Sequence, residues 1–123
     1  MRIQFYDDPV GGVNSRDKVR FNQLGLFVYE DGRRIAVGFD ITPFQERPSI
    51  EVLVKNKDGL ESSSLAIIET LDPQFNITMH LRDSQPNNPY KIEATLYYPD
   101  SDGGRVIVDK ITRYFDSNKP GEQ

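Results

Sequence analysis

Pro89-Tyr90-Lys91-Ile92-Glu93-Ala94-Thr95-Leu96-Tyr97-Tyr98-Pro99 alternates without a break and is closed at each end by a proline. Tyr90, Ile92, Ala94, Leu96 and Tyr98 fall on one face, and Lys91, Glu93, Thr95 and Tyr97 on the other, the period of two of a half-buried strand. At least six more runs of this kind surround it, and no segment longer than one turn has helical periodicity with caps. The chain reads as all-β.

Downstream, Asp100 to Gly104 turns the chain into a strand from Arg105 to Asp116. There Val106 and Val108 are out of step with Ile111 and Phe115, which predicts a bulge or bend near Asp109. Upstream, a Pro/Asn-rich linker from Asp83 to Pro89 follows a strand from Gln74 to Arg82 whose Phe75, Ile77, Met79 and Leu81 share the inward face. Asp31-Gly32 supplies a tight hairpin between Val19–Glu30 and Arg34–Thr42. The latter points Ile35, Val37, Phe39 and Ile41 inward and Arg34, Ala36, Gly38 and Asp40 outward. Ile50, Val52 and Val54 form another inward row. Asn56-Lys57-Asp58-Gly59 then returns the chain through Glu61 to Thr70, a second hairpin.

These runs define one domain over residues 18–116, a two-sheet antiparallel sandwich of about seven strands. Residues 1–17 read as an N-terminal arm in which Arg2–Tyr6 is a short edge strand or a flexible stretch, and residues 117–123 read as a disordered tail. The 123 residues suit one core. With 15 Lys and Arg against 19 Asp and Glu the formal charge is -4. No basic block offers phosphates a concentrated positive field, which argues against nucleic acid. No apolar run approaches the roughly 20 residues that span a bilayer, and Met1 to Pro9 lacks the apolar stretch of a secretory leader. The absence of cysteine removes disulfides, thiolate metal sites and a cysteine nucleophile, and suits a reducing cytoplasm.

The order of strands, and the tyrosine that opens the sixth, resemble an immunoglobulin-like sandwich of the fibronectin type III kind. In that family a tyrosine at the start of the sixth strand bonds back to the preceding loop, and Tyr90, after Asp83 to Pro89, matches it. The resemblance covers roughly Lys18 to Asp116, without the immunoglobulin cysteine pair or core tryptophan. It implies one sheet from the strands beginning near Val19, Arg34 and Gln74, and another from those near Ser49, Glu61, Tyr90 and Arg105. It carries no activity with it.

Chemistry-bearing residues are sparse. His80 is the only histidine and lies outward between Met79 and Leu81, with no second histidine for a metal site or a Ser/His/Asp arrangement. Ser62-Ser63-Ser64 lacks the glycines of a nucleophile elbow and reads as the solvent face of an edge strand. Asp7-Asp8 with Gly11-Gly12 lacks the strand-to-helix setting of a phosphate loop. Asn76-Ile77-Thr78 fits a glycosylation pattern but reads as an outward strand pair. Asp100-Ser101-Asp102-Gly103-Gly104 begins like a calcium loop, yet its twelfth position is Ile111 where a bidentate glutamate is required, so a turn explains it better.

The resulting expectation is a non-catalytic interaction or assembly module with a protein partner or a second copy of itself, holding no cofactor and no metal. Its contact surface is expected at Leu53, Thr95, Tyr97 and Tyr114, on the outer face of the second sheet. Adjacent Tyr97 and Tyr98 must point oppositely, which leaves Tyr97 outward in mid-strand. The alternative is a carbohydrate- or small-ligand-binding sandwich, with or without calcium, using Arg47, Asp72, Asp100 and Asp102 at the loop end.

Overall fold

The computed structural model describes residues 13–123, so the Arg2–Tyr6 strand or arm lies outside the described residues. A single 3-10 turn at Arg16–Lys18 precedes eight strands: β1 (Phe21–Val28), β2 (Arg34–Ile41), β3 (Ser49–Lys55), β4 (Glu61–Ile67), β5 (Gln74–His80), β6 (Tyr90–Pro99), β7 (Arg105–Phe115) and β8 (Gly121–Glu122). They form two four-stranded antiparallel sheets, ordered β5-β2-β1-β8 and β4-β3-β6-β7. The molecule is an all-β sandwich whose seven longer strands divide between the sheets as the resemblance implies. Among the described residues no helix is long and apolar enough to cross a membrane.

Alternation builds the core. The inward rows Leu24, Leu26 and Val28, then Ile35, Val37, Phe39 and Ile41, meet Ile50, Val52 and Val54 and the β6 row from Tyr90 to Tyr98. Burying each such side chain stabilises by about 1.5–3 kcal/mol relative to leaving it exposed. Aromatic pairs pin the two ends: Phe39 stacks on Phe75 at 5.0 Å and Tyr90 on Phe115 at 5.3 Å.

The bulge expected near Asp109 is present. Leu96 opposes Asp109 while Tyr97 opposes Ile107, so Val108 is the extra residue. The bulge restores Asp109 to the row that faces the first sheet, where its Oδ2 accepts the Phe21 N–H at 2.9 Å. Arg113, on the same row, donates to the Leu24 carbonyl and the Gln123 carbonyl, both at 2.7 Å. Polar bridges therefore close the β1/β7 seam.

Three expectations need correction. Residues 117–123 are not a disordered tail. Ser117 is buried and its N–H donates to Asn88 Oδ1 at 2.7 Å, while Gly121 and Glu122 pair with Val28 and Phe27 as β8. Two paired residues carry no alternation, and the polar sequence hides them. The outer row of β2 is also not solvated, since Asp40 is only 4% exposed and Ala36 1%. β2 is an interior strand between β1 and β5, its outward Ala36 and Gly38 are small, and Asp40 accepts Gln74 Nε2 at 3.3 Å. Finally, β4 stops at Ile67 rather than reaching Thr70. Glu69 takes a positive φ of 51°, with its N–H held by Ser49 Oγ at 3.0 Å, and Thr70 N–H bonds the Pro48 carbonyl.

Candidate functional site

The loop end gathers the 3-10 turn, the β2–β3 and β4–β5 connections and the β6–β7 turn. Its centre is Arg16. The guanidinium donates through Nε to Glu46 Oε2 at 2.9 Å and through Nη1 to the Pro99 carbonyl at 3.1 Å, with Nη2 at 2.7 Å from the same carboxylate oxygen. It also lies 4.8 Å over the Tyr98 ring. Tyr98, the inward residue near the end of β6, sends its hydroxyl to the Glu46 carbonyl at 2.9 Å. The Arg16 bond holds the Glu46 carboxyl below its ordinary range, and burial pushes the Tyr98 hydroxyl above its own. Beside this clamp lies a cavity of about 330 Å³ lined by Arg16, Glu46, Arg47, Glu69, Tyr98 and Pro99.

Of the four loop-end candidates, only Arg47 lines that cavity. Asp72 is exposed, and its carbonyl accepts Thr70 Oγ1 at 3.1 Å. Asp100 and Asp102 belong to a hairpin turn closed by Asp100 N–H to the Gly104 carbonyl at 2.9 Å and Gly103 N–H to the Asp100 carbonyl at 3.1 Å. Among the described residues no three His, Asp or Glu side chains gather as they would around a metal ion. Sequence reasoning missed Arg16, Glu69 and Tyr98 as lining residues. Arg16 sits in an aperiodic stretch and meets Pro99 across 83 positions of chain, so no local signal could have found it.

The opposite end is organised by Tyr90. Its hydroxyl donates to Asp83 Oδ2 at 2.8 Å and accepts the Asn87 N–H at 3.1 Å, the bond back to the preceding loop that the resemblance implies. Asn56 Nδ2 donates to the other Asp83 oxygen at 3.2 Å, and Arg33 donates to the Asp83 and Ser84 carbonyls. Burial raises the Tyr90 hydroxyl above its ordinary value. A cavity of about 290 Å³ opens here between the Asp31–Arg33 turn, Tyr90 and Ser117–Pro120.

Leu53, Thr95, Tyr97 and Tyr114 all lie on the outer face of the second sheet but do not form one apolar patch. Leu53 stands between Ser64 and Glu93, Thr95 is buried between Glu51 and Lys110, and Tyr114 stands beside Lys91. Tyr97 is level with Ser49 and Ile107 and is covered by the Arg105 guanidinium, 4.8 Å above its ring and anchored to Glu51 at 3.0 Å. Six residues separate the rows of Tyr97 and Tyr114 along β6, about 20 Å at roughly 3.3 Å per residue. The Lys91–Glu93 pair lies between. His80 is exposed opposite Arg34, while Ser62, whose carbonyl accepts the Arg82 N–H, and Ser63 are buried rather than solvated and Ser64 is exposed.

No family model matches this chain, and no curated protein matches it in sequence. Solved structures similar to it include a glycosyl hydrolase family 2 member from Bacteroides cellulosilyticus, with a TM-score of 0.50 and 12% identity over 80% of this chain and 14% of that one. The b-glucuronidase from Ruminococcus gnavus is similar with a TM-score of 0.45 and 12% identity over 80% of this chain and 16% of that one. The chain thus spans a small fraction of the length of these proteins. At such identity the likeness to the first is one of fold, a two-sheet antiparallel β-sandwich.

Proposed function

We propose that this chain is a non-catalytic interaction module, a fibronectin type III-like sandwich of the cytoplasm that self-associates through its second sheet. One observation carries the reading. Of the eight large apolar side chains exposed among the described residues, Leu60, Leu65, Ile68, Val106, Ile107 and Tyr114 lie on or beside β4 and β7, the two edges of that sheet, while Leu71 lies in the connection from β4 to β5. The first sheet contributes none. Apolar surface concentrated on one sheet is what a docking surface requires. The outer-face residues Leu53, Thr95 and Tyr97 lie between those edges and Tyr114 lies on one of them.

Light scattering tests this directly, with amide hydrogen exchange on the same samples. The expected result is a particle heavier than the 14.1 kDa chain at high concentration, with added protection confined to β3, β4, β6 and β7. A monomer at every concentration, or protection gained only in the first sheet, would overturn the reading.

A second reading, a carbohydrate or other small ligand at the loop end, is supported by the cavity that Arg47 and Glu69 line. Glu69 is a non-glycine residue held at positive φ, a conformation that costs free energy and collects at binding sites. A rise in melting temperature on adding calcium or a hexose, lost in Glu69→Gln, is its expected signature.

A further inference from the structure

Four charged side chains line the loop-end cavity, and only two of them satisfy each other. Arg16 and Glu46 are joined by the 2.7 Å ion pair, and the Arg16 guanidinium is engaged further by the Pro99 carbonyl and the Tyr98 ring. Arg47 and Glu69 form no ion pair with each other or with any other described residue. Backbone ties set the spacing of these two. Pro48 has a fixed φ and biases the preceding Arg47 to an extended backbone. Thr70 N–H bonds the Pro48 carbonyl at 2.9 Å, and Glu69 N–H bonds Ser49 Oγ at 3.0 Å, so the segments that carry the two charges are clamped to one another. Glu69 is held there at a φ of 51°, which glycine takes without strain and other residues take at a cost. What glutamate adds at that position is its carboxylate.

Resting on the loop-end ligand reading above, we infer that this cavity takes a small zwitterion, an α-amino acid of short side chain, with its carboxylate on the Arg47 guanidinium and its ammonium on the Glu69 carboxylate. Arginine offers a planar fork that matches a carboxylate, and an ammonium on a carboxylate is a charge-assisted bond of the stronger kind. The charge inventory selects the class. A hexose neutralises neither charge, a simple anion or cation neutralises one, and a ligand carrying both signs neutralises both. A calcium ion would face two guanidiniums, Arg16 and Arg47. The volume of about 330 Å³ is at the small end of ligand sites, and Tyr98 and Pro99 are the only uncharged residues lining it, which disfavours a long apolar side chain on the ligand.

Titration of the full chain with glycine, followed by backbone amide chemical shifts, tests this, with methylamine and acetate as its one-charge halves. Glycine is expected to shift the amides of Arg47, Ser49, Glu69 and Thr70 saturably and to bind at least about tenfold more tightly than either half. Arg47→Gln and Glu69→Gln should each weaken glycine by at least about tenfold. Glu69→Gly accepts the positive φ without strain, so it should lose glycine binding with no fall in melting temperature, which separates loss of the carboxylate from loss of the fold. Acetate or methylamine binding as tightly as glycine, or glycine binding unchanged in both glutamine variants, would overturn the zwitterion. Glucose or calcium shifting the same amides where glycine does not would also overturn it while keeping the loop-end reading, and no shift with any of these probes would overturn both.

Discussion

The two ends of β6 solve the same problem with different reach. Each closes on a buried tyrosine whose hydroxyl ties down a loop, and each adds an arginine that clamps the same loop. At the Tyr90 end the tie spans seven positions, to the carboxylate of Asp83, and Arg33 grips the loop backbone. At the Tyr98 end the tie spans 52 positions, to the carbonyl of Glu46, and Arg16 grips the Glu46 side chain. The first end anchors a local connection with a charged acceptor. The second fastens two distant connections with a neutral one, and its clamp is an exposed ion pair.

That difference sets an order of expected effects. Tyr90→Phe removes a hydrogen bond to a carboxylate and leaves Asp83 and the Asn87 N–H without it, so a loss of about 2 kcal/mol in denaturant unfolding is expected. Tyr98→Phe removes a bond to a neutral carbonyl and should cost about 1 kcal/mol. Equal losses at both positions would break the distinction between the ends.

Alkaline titration probes both tyrosines together. Burial raises both hydroxyls above the ordinary value of 10.0. A group whose folded value is raised contributes stability that is complete below the unfolded value and is lost as pH climbs through the folded one. Tyrosinate absorbance should therefore show Tyr90 and Tyr98 ionising late, with stability falling above pH 10. Each phenylalanine variant should remove one late ioniser.

The acid side separates the ends by the smallest effect. The Glu46 carboxyl is held below its ordinary value of 4.5 by Arg16. Its contribution is present above 4.5 and is lost as pH falls through the lowered value. Arg16→Ala should erase that part of the acid dependence and, because the pair is exposed, shift the melting temperature less than Tyr98→Phe does. Arg33→Ala should leave the same acid dependence intact, since Arg33 bonds carbonyls rather than a carboxylate.

Most of the architecture was legible because an alternating strand reports its own inward face. The β6 row, the β2 row and the phase switch at Val108 were all visible as patterns of single residues. β8 was not, since Gly121 and Glu122 pair next to a Gln123 held by Arg113, the Asp116 carbonyl and the Leu26 carbonyl, contacts no local pattern reports. Among the candidate residues, Arg47 lies at the loop end and lines its cavity. Asp72, Asp100 and Asp102 were brought to the same end but not to the cavity, because a turn motif specifies where a chain reverses and not where its side chains converge.

By itself the sequence determined the period of two, and with it an all-β chain, the inward rows and the turns that join them, since side-chain direction along a strand depends on position parity alone. The tertiary structure decided which edges meet and how they are closed. Asp109 and Arg113 seal one seam, while the second half of β4 is left with an uncharged edge. Those outcomes depend on contacts between residues tens of positions apart, where local pattern carries no information and packing geometry carries all of it.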